Sequence, residues 1–418
     1  MSNDADQPGN LAQLKYKNYI ITLLGFGLLL TIFKSAVLWV HDFSNVRIAV
    51  AARDYTDMWA AGHFAAVGKF ALLYDREAFA ATLRSMFGVG FPEQIWPYPP
   101  PILLVAVPLS ALPLFPGFLL YTAATLALLW AALRSGGLTR ASCAIILISP
   151  AVGENALAGQ NGALTTAVIL GGLLHVDSRP ILSGALLGTL VIKPQLGLLL
   201  PLCLVASGNW RALVSAAFSA SILIGLSCMS FGLGAWIEFL KHVNPMVAAI
   251  LEAPWQASPS QRIFTSVFMG SRSIGASIQI AYCFQLVTVL LCAAVAWWAW
   301  RISKVVPLVR AVLTALLTLL AAPWVHTYDM IPLAVGVVVL FSTAPRKLIP
   351  LLVYAWIWPG AVILLIPAPL APFILCASVM SIGVVAWLAT RQLQHDDRES
   401  LIASNIRVQV PPSPERTG

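Results

Sequence analysis

The chain has 418 residues, of which 59% are hydrophobic and only 10% are charged. A soluble domain carries about a quarter charged residues, so composition excludes a soluble protein and indicates that lipid covers much of the surface. The formal net charge is +8, but the 25 Lys and Arg are scattered singly between apolar runs. This pattern excludes the basic stripe of a nucleic-acid-binding protein and fits orientation in a membrane by cytoplasmic positive charge.

The predicted elements begin with an apolar run at residues 19–40, which follows Lys15 and Lys17. The run is longer than the apolar part of a secretory signal, and no small-residue cleavage pattern follows it, so we predict an uncleaved first span. Further runs bring the total to roughly twelve crossings, since about 20 apolar residues cross a bilayer. These runs lie at residues 99–114, 117–133, 141–156, 162–176, 180–206, 212–231, 275–300, 306–325, 330–341, 348–366 and 370–389. The predicted fold is an all-α integral membrane bundle of about 12 transmembrane helices.

Two long mixed stretches separate the spans, at residues 41–98 and 232–274. In the first, residues 59–67 and 78–87 predict short interfacial helices, and the residues around Trp236 predict another in the second. Residues 1–390 would form the membrane domain. The polar, proline-containing tail at residues 391–418 is predicted to be disordered and cytoplasmic.

Basic residues indicate how the bundle is oriented. Lys15 and Lys17 place the N-terminus in the cytoplasm. The later basic turns at residues 301–310 and 346–347 are placed in the cytoplasm for the same reason. Counting spans then places both long loops and residues 326–329 outside. If every predicted span crosses the membrane in turn, Arg134, Arg140 and Arg179 also lie outside. This placement conflicts with the preference of basic residues for the cytoplasmic side. In a second arrangement, which we favour, residues 99–133 make one net crossing and residues 180–206 form a hairpin with Lys193 at its outer tip.

The cysteines lie inside apolar runs and form no CxxC pair, so we predict buried small apolar residues rather than a disulfide framework or a zinc site. They are Cys143, Cys203, Cys228, Cys283, Cys292 and Cys376.

Two carboxylates follow the first predicted span. Asp54 and Asp57 are three residues apart, which places them on one face of a helix. One of them could act as a general base. Alternatively, both belong to the polar face of an interfacial helix, where an acid near the N-terminus is favourable, and spacing alone favours this second interpretation.

Polar residues also interrupt later apolar runs. Lys193 precedes a proline that breaks the helix, and a lysine there needs an anionic partner or water. It could bind a phosphate, or its side chain could extend to the interface. His326, in the sequence His-Thr-Tyr-Asp, could donate to a phosphate or relay a proton, or the four residues could form a self-bonded polar turn. Glu154 could be functional or lie in a surface loop.

Taken together, these motifs resemble those of glycosyltransferase family 87, membrane enzymes of the C-type glycosyltransferase fold that take a sugar from a polyprenyl phosphate. The likeness covers residues 53–331, and the order and spacing of the motifs make it specific. The matching motifs are Asp54-Tyr55, Trp59-Ala60-Ala61-Gly62, Leu73-Tyr74-Asp75, Tyr98-Pro99-Pro100, Pro108-Leu109, Leu112-Pro113, Gly159-Gln160-Asn161, Lys193-Pro194-Gln195 and His326-Thr327-Tyr328-Asp329. The last third of the chain carries no matching motif.

The resemblance implies a mechanism and a set of site residues. The catalytic acid of the family falls on Asp54, which would be the general base, and Asp57 ranks second because the family often has an apolar residue there. His326 would be the other catalytic residue, and together with Lys193 and Arg53 it would stabilise the leaving phosphate. The implied substrate-binding residues are Arg53, Asp57, Trp59, Tyr98, Gln160, Asn161, Lys193, Gln195, Tyr328 and Asp329.

The resemblance also implies the substrates and the location. The donor would be a polyprenyl-phosphate hexose, with mannose as the sugar, and the acceptor a lipid or glycan. Single displacement would invert the anomeric centre, and neither a metal nor another cofactor would be required. The site would face the periplasm from a bacterial inner membrane. A transporter or flippase, a polymerase or ligase acting on lipid-linked sugars, and a non-catalytic scaffold remain as alternatives.

Overall fold

A computed structural model describes residues 53–256, 259–301, 306–341, 345–365 and 370–408. These residues form seventeen α-helices and no strand, apart from one isolated antiparallel bridge between Phe264 and His326. The first helices are α1 (Arg53–Ala66), α2 (Phe70–Tyr74), α3 (Arg76–Phe87), α4 (Leu103–Ser110), α5 (Leu114–Ser135), α6 (Arg140–Leu147), α7 (Pro150–Ala158), α8 (Gly162–Leu174), α9 (Pro180–Gly188) and α10 (Leu200–Ala206). They are followed by α11 (Trp210–Glu252), α12 (Val267–Ser273), α13 (Ile278–Arg301), α14 (Pro307–Ala321), α15 (Ile331–Phe341), α16 (Ile349–Leu365) and α17 (Ala371–Val408). The predicted first span at residues 19–40 lies outside the described residues.

Four helices in the described part of the chain are long and apolar enough to cross a membrane, or five when the bent pair α6 and α7 counts as one span. The four are α5, α11, α13 and the first 21 residues of α17. Seven other apolar helices have only 10 to 17 residues, which is short for a hydrocarbon core of about 30 Å. The all-helical membrane architecture is therefore confirmed, but the predicted number of about twelve crossings is not.

The surface of the long helices is apolar. Phe218 is 67% exposed, Met229 is 85% exposed and Leu290 is 61% exposed, and many similar side chains accompany them on α11 and α13. Water would not tolerate apolar patches of this extent on a soluble monomer, so these faces contact lipid. By contrast, α8, α14 and α15 are buried around most of their circumference and form the centre of the bundle.

Prolines break two of the predicted spans. Pro150 begins α7 behind the capping residue Ser149, and α6 and α7 meet at an angle of 57°. The backbone at Lys193 is non-helical, with short 3₁₀ turns on both sides. An ideal Cβ on Gly197 would lie 3.8 Å from the Cβ of Leu190, whereas seven residues of continuous helix would span about 10 Å. The chain therefore turns sharply at Lys193, as the second predicted arrangement requires.

The basic turns between helices lie together at one end of the bundle. Arg310 forms an ion pair with Asp177, in the turn that carries Arg179. An ideal Cβ on Gly136, two residues after Arg134, would lie 3.4 Å from a methyl group of Leu308, near the start of α14. Because α8 has 13 residues, about 20 Å separate this end from the start of α8. These contacts agree with the second arrangement; the side of the membrane stays a prediction.

The second long loop folds over the first. Gly232 has φ 73° and ψ 167°, a conformation open to glycine, and it kinks α11 so that Trp236 Nε1 donates to Ser227 Oγ at 3.0 Å. After the kink, Phe239 packs on Tyr74 of α2, with ring centroids 5.8 Å apart. The predicted surface helix near Trp236 is thus the second part of α11, and the two predicted first-loop helices are α1 and α3.

The tail prediction is wrong in part. Helix α17 continues through Arg391 to Val408, where the sequence predicted disorder. The segment is rich in helix-forming Gln, Glu, Arg and Leu, and it extends an existing helix, so no new nucleation step opposes its folding. Residues 409–418 lie outside the described residues.

Candidate active site

The first-loop acids lie at the start of α1. Asp54 is in the first turn, where a carboxylate is stabilised by the positive end of the helix, and it is half-buried. Asp57 lies one turn further along and is 6% exposed. Tyr55, between them, is fully buried and packs on Phe118 and Tyr121 of α5. Of the two acids, Asp54 is therefore the more accessible to a substrate.

Tyr98 connects the first loop to the middle of the chain. Its hydroxyl donates to Gln160 Oε1 at 3.0 Å, and the same oxygen accepts from the backbone N–H of Asn161 at 3.1 Å. Burial raises the pKa of Tyr98 well above its usual value, and the negative charges of Asp329 and Asp54 raise it further. Asp54 and Asp329 thus act on the same hydroxyl, although 275 residues separate them in the sequence.

The loop between α7 and α8 carries Gln160 and Asn161. Gly159 ends α7 in the left-handed conformation, with φ 68°. The side chain of Asn155 then accepts from the backbone N–H of Ala163 at 3.3 Å, in the first turn of α8. Asn155 is 2% exposed, so this buried hydrogen bond fixes the loop to the first turn of α8. The sequence showed Asn155 only as a neighbour of Glu154, and we did not predict its role.

Lys193 has an anionic partner within the protein. Its Nζ donates to Asp329 Oδ1 at 2.5 Å and to Asn161 Oδ1 at 3.1 Å, and it lies 5.2 Å from the centroid of the Tyr328 ring. The residue is 3% exposed, so the alternative in which the side chain extends to the interface is wrong. The break at Pro194 points the lysine into the bundle, where only a charged partner makes its burial tolerable.

The His326 motif is a bonded turn and is also part of the cluster. Asp329 Oδ2 accepts from the backbone N–H of His326 at 3.3 Å, and the Tyr328 hydroxyl lies 3.1 Å from His326 Nδ1. The His326 ring stacks on Tyr328 and contacts Phe264, with centroids 4.1 Å apart. Nothing in the sequence pointed to Phe264, because it reaches His326 from the second loop through the antiparallel bridge.

Other predicted residues make different contacts or lie outside the described residues. Trp59 donates to the carbonyl of Leu112 at 2.9 Å, and its ring contacts that of His63 at an interplanar angle of 47°. Gln195 is half-buried in the turn after Lys193, and Glu154 is half-buried on α7. The side chain of Arg53 lies outside the described residues. The structure thus brings together Tyr98, Gln160, Asn161, Lys193, His326, Tyr328 and Asp329. Asp54 is near enough for its charge to raise the pKa of Tyr98.

The cluster offers acid–base and anion-binding chemistry. Asp329 uses both carboxylate oxygens to hold Lys193 and His326, so it is occupied as a structural acceptor. Asp54 is the more accessible of the two first-loop acids, and Lys193 and His326 carry N–H groups of the kind that can donate to an anion. No three His, Cys, Asp or Glu side chains among the described residues are grouped to hold a metal ion.

A substitution at Gly162 tests whether the cluster needs this close packing. An ideal Cβ on Gly162 would overlap with the carbonyl oxygen of Tyr328, which is backbone and cannot rotate away. We expect Gly162→Ala to separate the Asn161 loop from the His326 turn and to lower activity by about 100-fold, the cost of a misplacement near 1 Å. The matched control is Gly171→Ala, also in α8, where the nearest atom lies at 3.5 Å. Equal activity of the two variants, in an assay of the sugar transfer that the sequence resemblance implies, would contradict the prediction.

Comparison with known proteins identifies the family. A model of glycosyltransferase family 87 matches residues 96–323, more than half of the chain. The match includes Tyr98, Gln160, Asn161 and Lys193, and it ends before His326 and begins after Asp54. No curated protein and no solved structure matches the chain. The chain belongs to glycosyltransferase family 87 and is a membrane glycosyltransferase.

Proposed function

We propose that the protein transfers a hexose from a polyprenyl phosphate to a lipid or glycan acceptor, with Asp54 as general base. We take the hexose to be mannose, as the family resemblance implies. The observation that supports this proposal best is the buried cluster in which Lys193 pairs with Asp329 and His326 contacts Tyr328, with Asp54 near enough for its charge to raise the pKa of Tyr98. Displacement of a phosphate by a sugar hydroxyl needs a group that accepts a proton and groups that stabilise an anion.

Asp54 would accept the proton of the acceptor hydroxyl as this oxygen attacks the anomeric carbon. The bond from the anomeric carbon to the phosphate oxygen breaks in the same step, and polyprenyl phosphate leaves with its electron pair. A single displacement inverts the anomeric centre, so a β-linked donor gives an α-linked product. Because no nucleotide diphosphate is handled, the reaction does not require a metal-binding acidic pair.

Lys193 and His326 would stabilise the charge on the leaving phosphate, and Arg53 would assist. Lys193 has three ammonium N–H donors, and Asp329 and Asn161 accept two of them. The third would donate to a phosphate oxygen. Burial makes each such bond stronger than it would be in water. Trp59, Gln195 and Asp57 were predicted to bind substrate and remain proposals for the sugar or the acceptor.

The site would face the outside of the cell. Lys193, His326 and Asp54 belong to one end of the bundle, and Arg310 with the Asp177 turn belongs to the other. Basic residues favour the cytoplasmic end of a membrane protein, so the opposite end would be extracytoplasmic. A bundle of about twelve crossings of the C-type fold, in a bacterial inner membrane, is part of the same proposal.

The test is sugar transfer by the purified protein in liposomes. Radiolabelled mannosyl polyprenyl phosphate serves as donor and a membrane lipid extract as acceptor, with Asp54→Asn in parallel. We expect label in a new glycolipid with the wild type and little with the variant. Label in long glycan products would identify a polymerase or ligase instead. Intact labelled donor crossing the bilayer, with no product from any hexosyl polyprenyl phosphate, would identify a transporter and overturn the proposal.

A further inference from the structure

Tyr55 joins the proposed base to the spanning helix α5. It is fully buried, whereas the preceding Asp54 is half-buried. The ring centroid of Tyr55 lies 5.8 Å from that of Phe118 and 5.9 Å from that of Tyr121. The first turn of α1 is thus fixed to α5 through one aromatic side chain.

Two glycines allow this approach. An ideal Cβ on Gly117 of α5 would overlap with the Tyr55 hydroxyl oxygen, and one on Gly159 would lie 2.5 Å from the Cβ of Tyr55. Gly159 directly precedes Gln160, which accepts from Tyr98. One side chain therefore contacts both the spanning helix and the loop that carries the Gln160–Asn161 motif.

The hydroxyl of Tyr55 is buried and makes no hydrogen bond to the residues that the structure describes. Burial raises the pKa of Tyr55 to about 12. The hydroxyl therefore keeps its proton at physiological pH and cannot replace Asp54 as a base. Because burying a hydroxyl without a partner is unfavourable, what the residue contributes is the shape of its ring.

We propose that Tyr55 is a positioning residue, which sets the place of Asp54 relative to the Gln160–Lys193 cluster through its contacts with Gly117 and Gly159. This inference rests on the proposed role of Asp54 as base. The two residues are consecutive in one helical turn, so a shift of the Tyr55 ring moves Asp54 as well. A displacement of about 1 Å at a reacting group can cost about 100-fold in rate.

The test is a size exchange at one contact. Gly117→Ala should push the Tyr55 ring aside and lower kcat by about 10–100-fold, with the KM for the donor changed by less than about threefold. Gly117→Ala combined with Tyr55→Phe should restore kcat to within about fivefold, because the nearest remaining ring atom lies 3.2 Å from the new methyl group. Gly171→Ala is the control for adding a methyl group to a buried helix.

Asp54→Asn in the same assay separates the two possible failures. If Asp54→Asn transfers sugar like the wild type, the proposed function of Asp54 is wrong. If Asp54→Asn is inactive while Gly117→Ala keeps the wild-type kcat, the positioning role of Tyr55 is wrong. It is also wrong if the double variant regains the thermal stability of the wild type without regaining its kcat.

Discussion

Asp54→Asn is expected to lower the rate of sugar transfer by about 10²–10⁴-fold, the usual contribution of a positioned general base. Asparagine keeps the size of the side chain and can still accept a hydrogen bond, but it cannot take the proton from the acceptor hydroxyl. The fold should change little, because asparagine has the same size and Asp54 is only half-buried in the first turn of α1. Initial rates of label transfer in liposomes, at saturating donor, measure the effect directly.

Asp57→Asn is the matched control for this experiment. It makes the same chemical change one turn further along the same helix, at a residue that is only 6% exposed. We expect a smaller loss of transfer, because a buried side chain is less able to reach an acceptor hydroxyl. The opposite ranking, with Asp57→Asn inactive and Asp54→Asn active, would assign the base to Asp57.

Lys193→Met should have the second-largest effect, on both stability and transfer. Removing the ammonium leaves the carboxylate of Asp329, which is 2% exposed, without its cation. Breaking a buried ion pair in this way costs about 3–5 kcal/mol. Because Asp329 also accepts from the backbone of His326, the motif turn should loosen as well. The midpoint of thermal unfolding and the transfer rate would both be measured in the same detergent.

The combination of Lys193→Met with Asp329→Asn separates the structural role of the lysine from its chemical role. Neither a buried cation nor a buried anion remains, so most of the lost stability should return. Transfer should stay low, because the leaving phosphate would still lack the lysine. Recovery of both quantities would show that Lys193 acts on the fold alone and that the proposed phosphate contact is wrong.

The motifs could be found in the sequence because each combines unusual chemistry with a local break. Lys193-Pro194 and the His326 motif interrupt apolar runs, and this is visible without any structure. The need of a buried lysine for an anionic partner was also predictable, from the cost of burying a charge. The partner itself was not, because Lys193 and Asp329 are 136 residues apart. Trp59 belongs to a family motif and was predicted to bind substrate, but in the structure its indole N–H donates to the Leu112 carbonyl.

The sequence by itself determined that lipid surrounds the protein and that its secondary structure is helical. With 59% hydrophobic residues and 10% charged ones, the chain must lie in lipid, and lipid requires every backbone group to bond within a helix or a closed barrel. Tertiary structure decided which helices cross the membrane as single spans and which are broken into shorter segments. Breaks at Pro150 and Lys193 leave segments of 7 to 13 residues, whose position depends on the helices packed around them. Contacts such as Tyr98 with Gln160, or Phe264 with His326, exist only because loop segments distant in sequence converge at one end of the bundle.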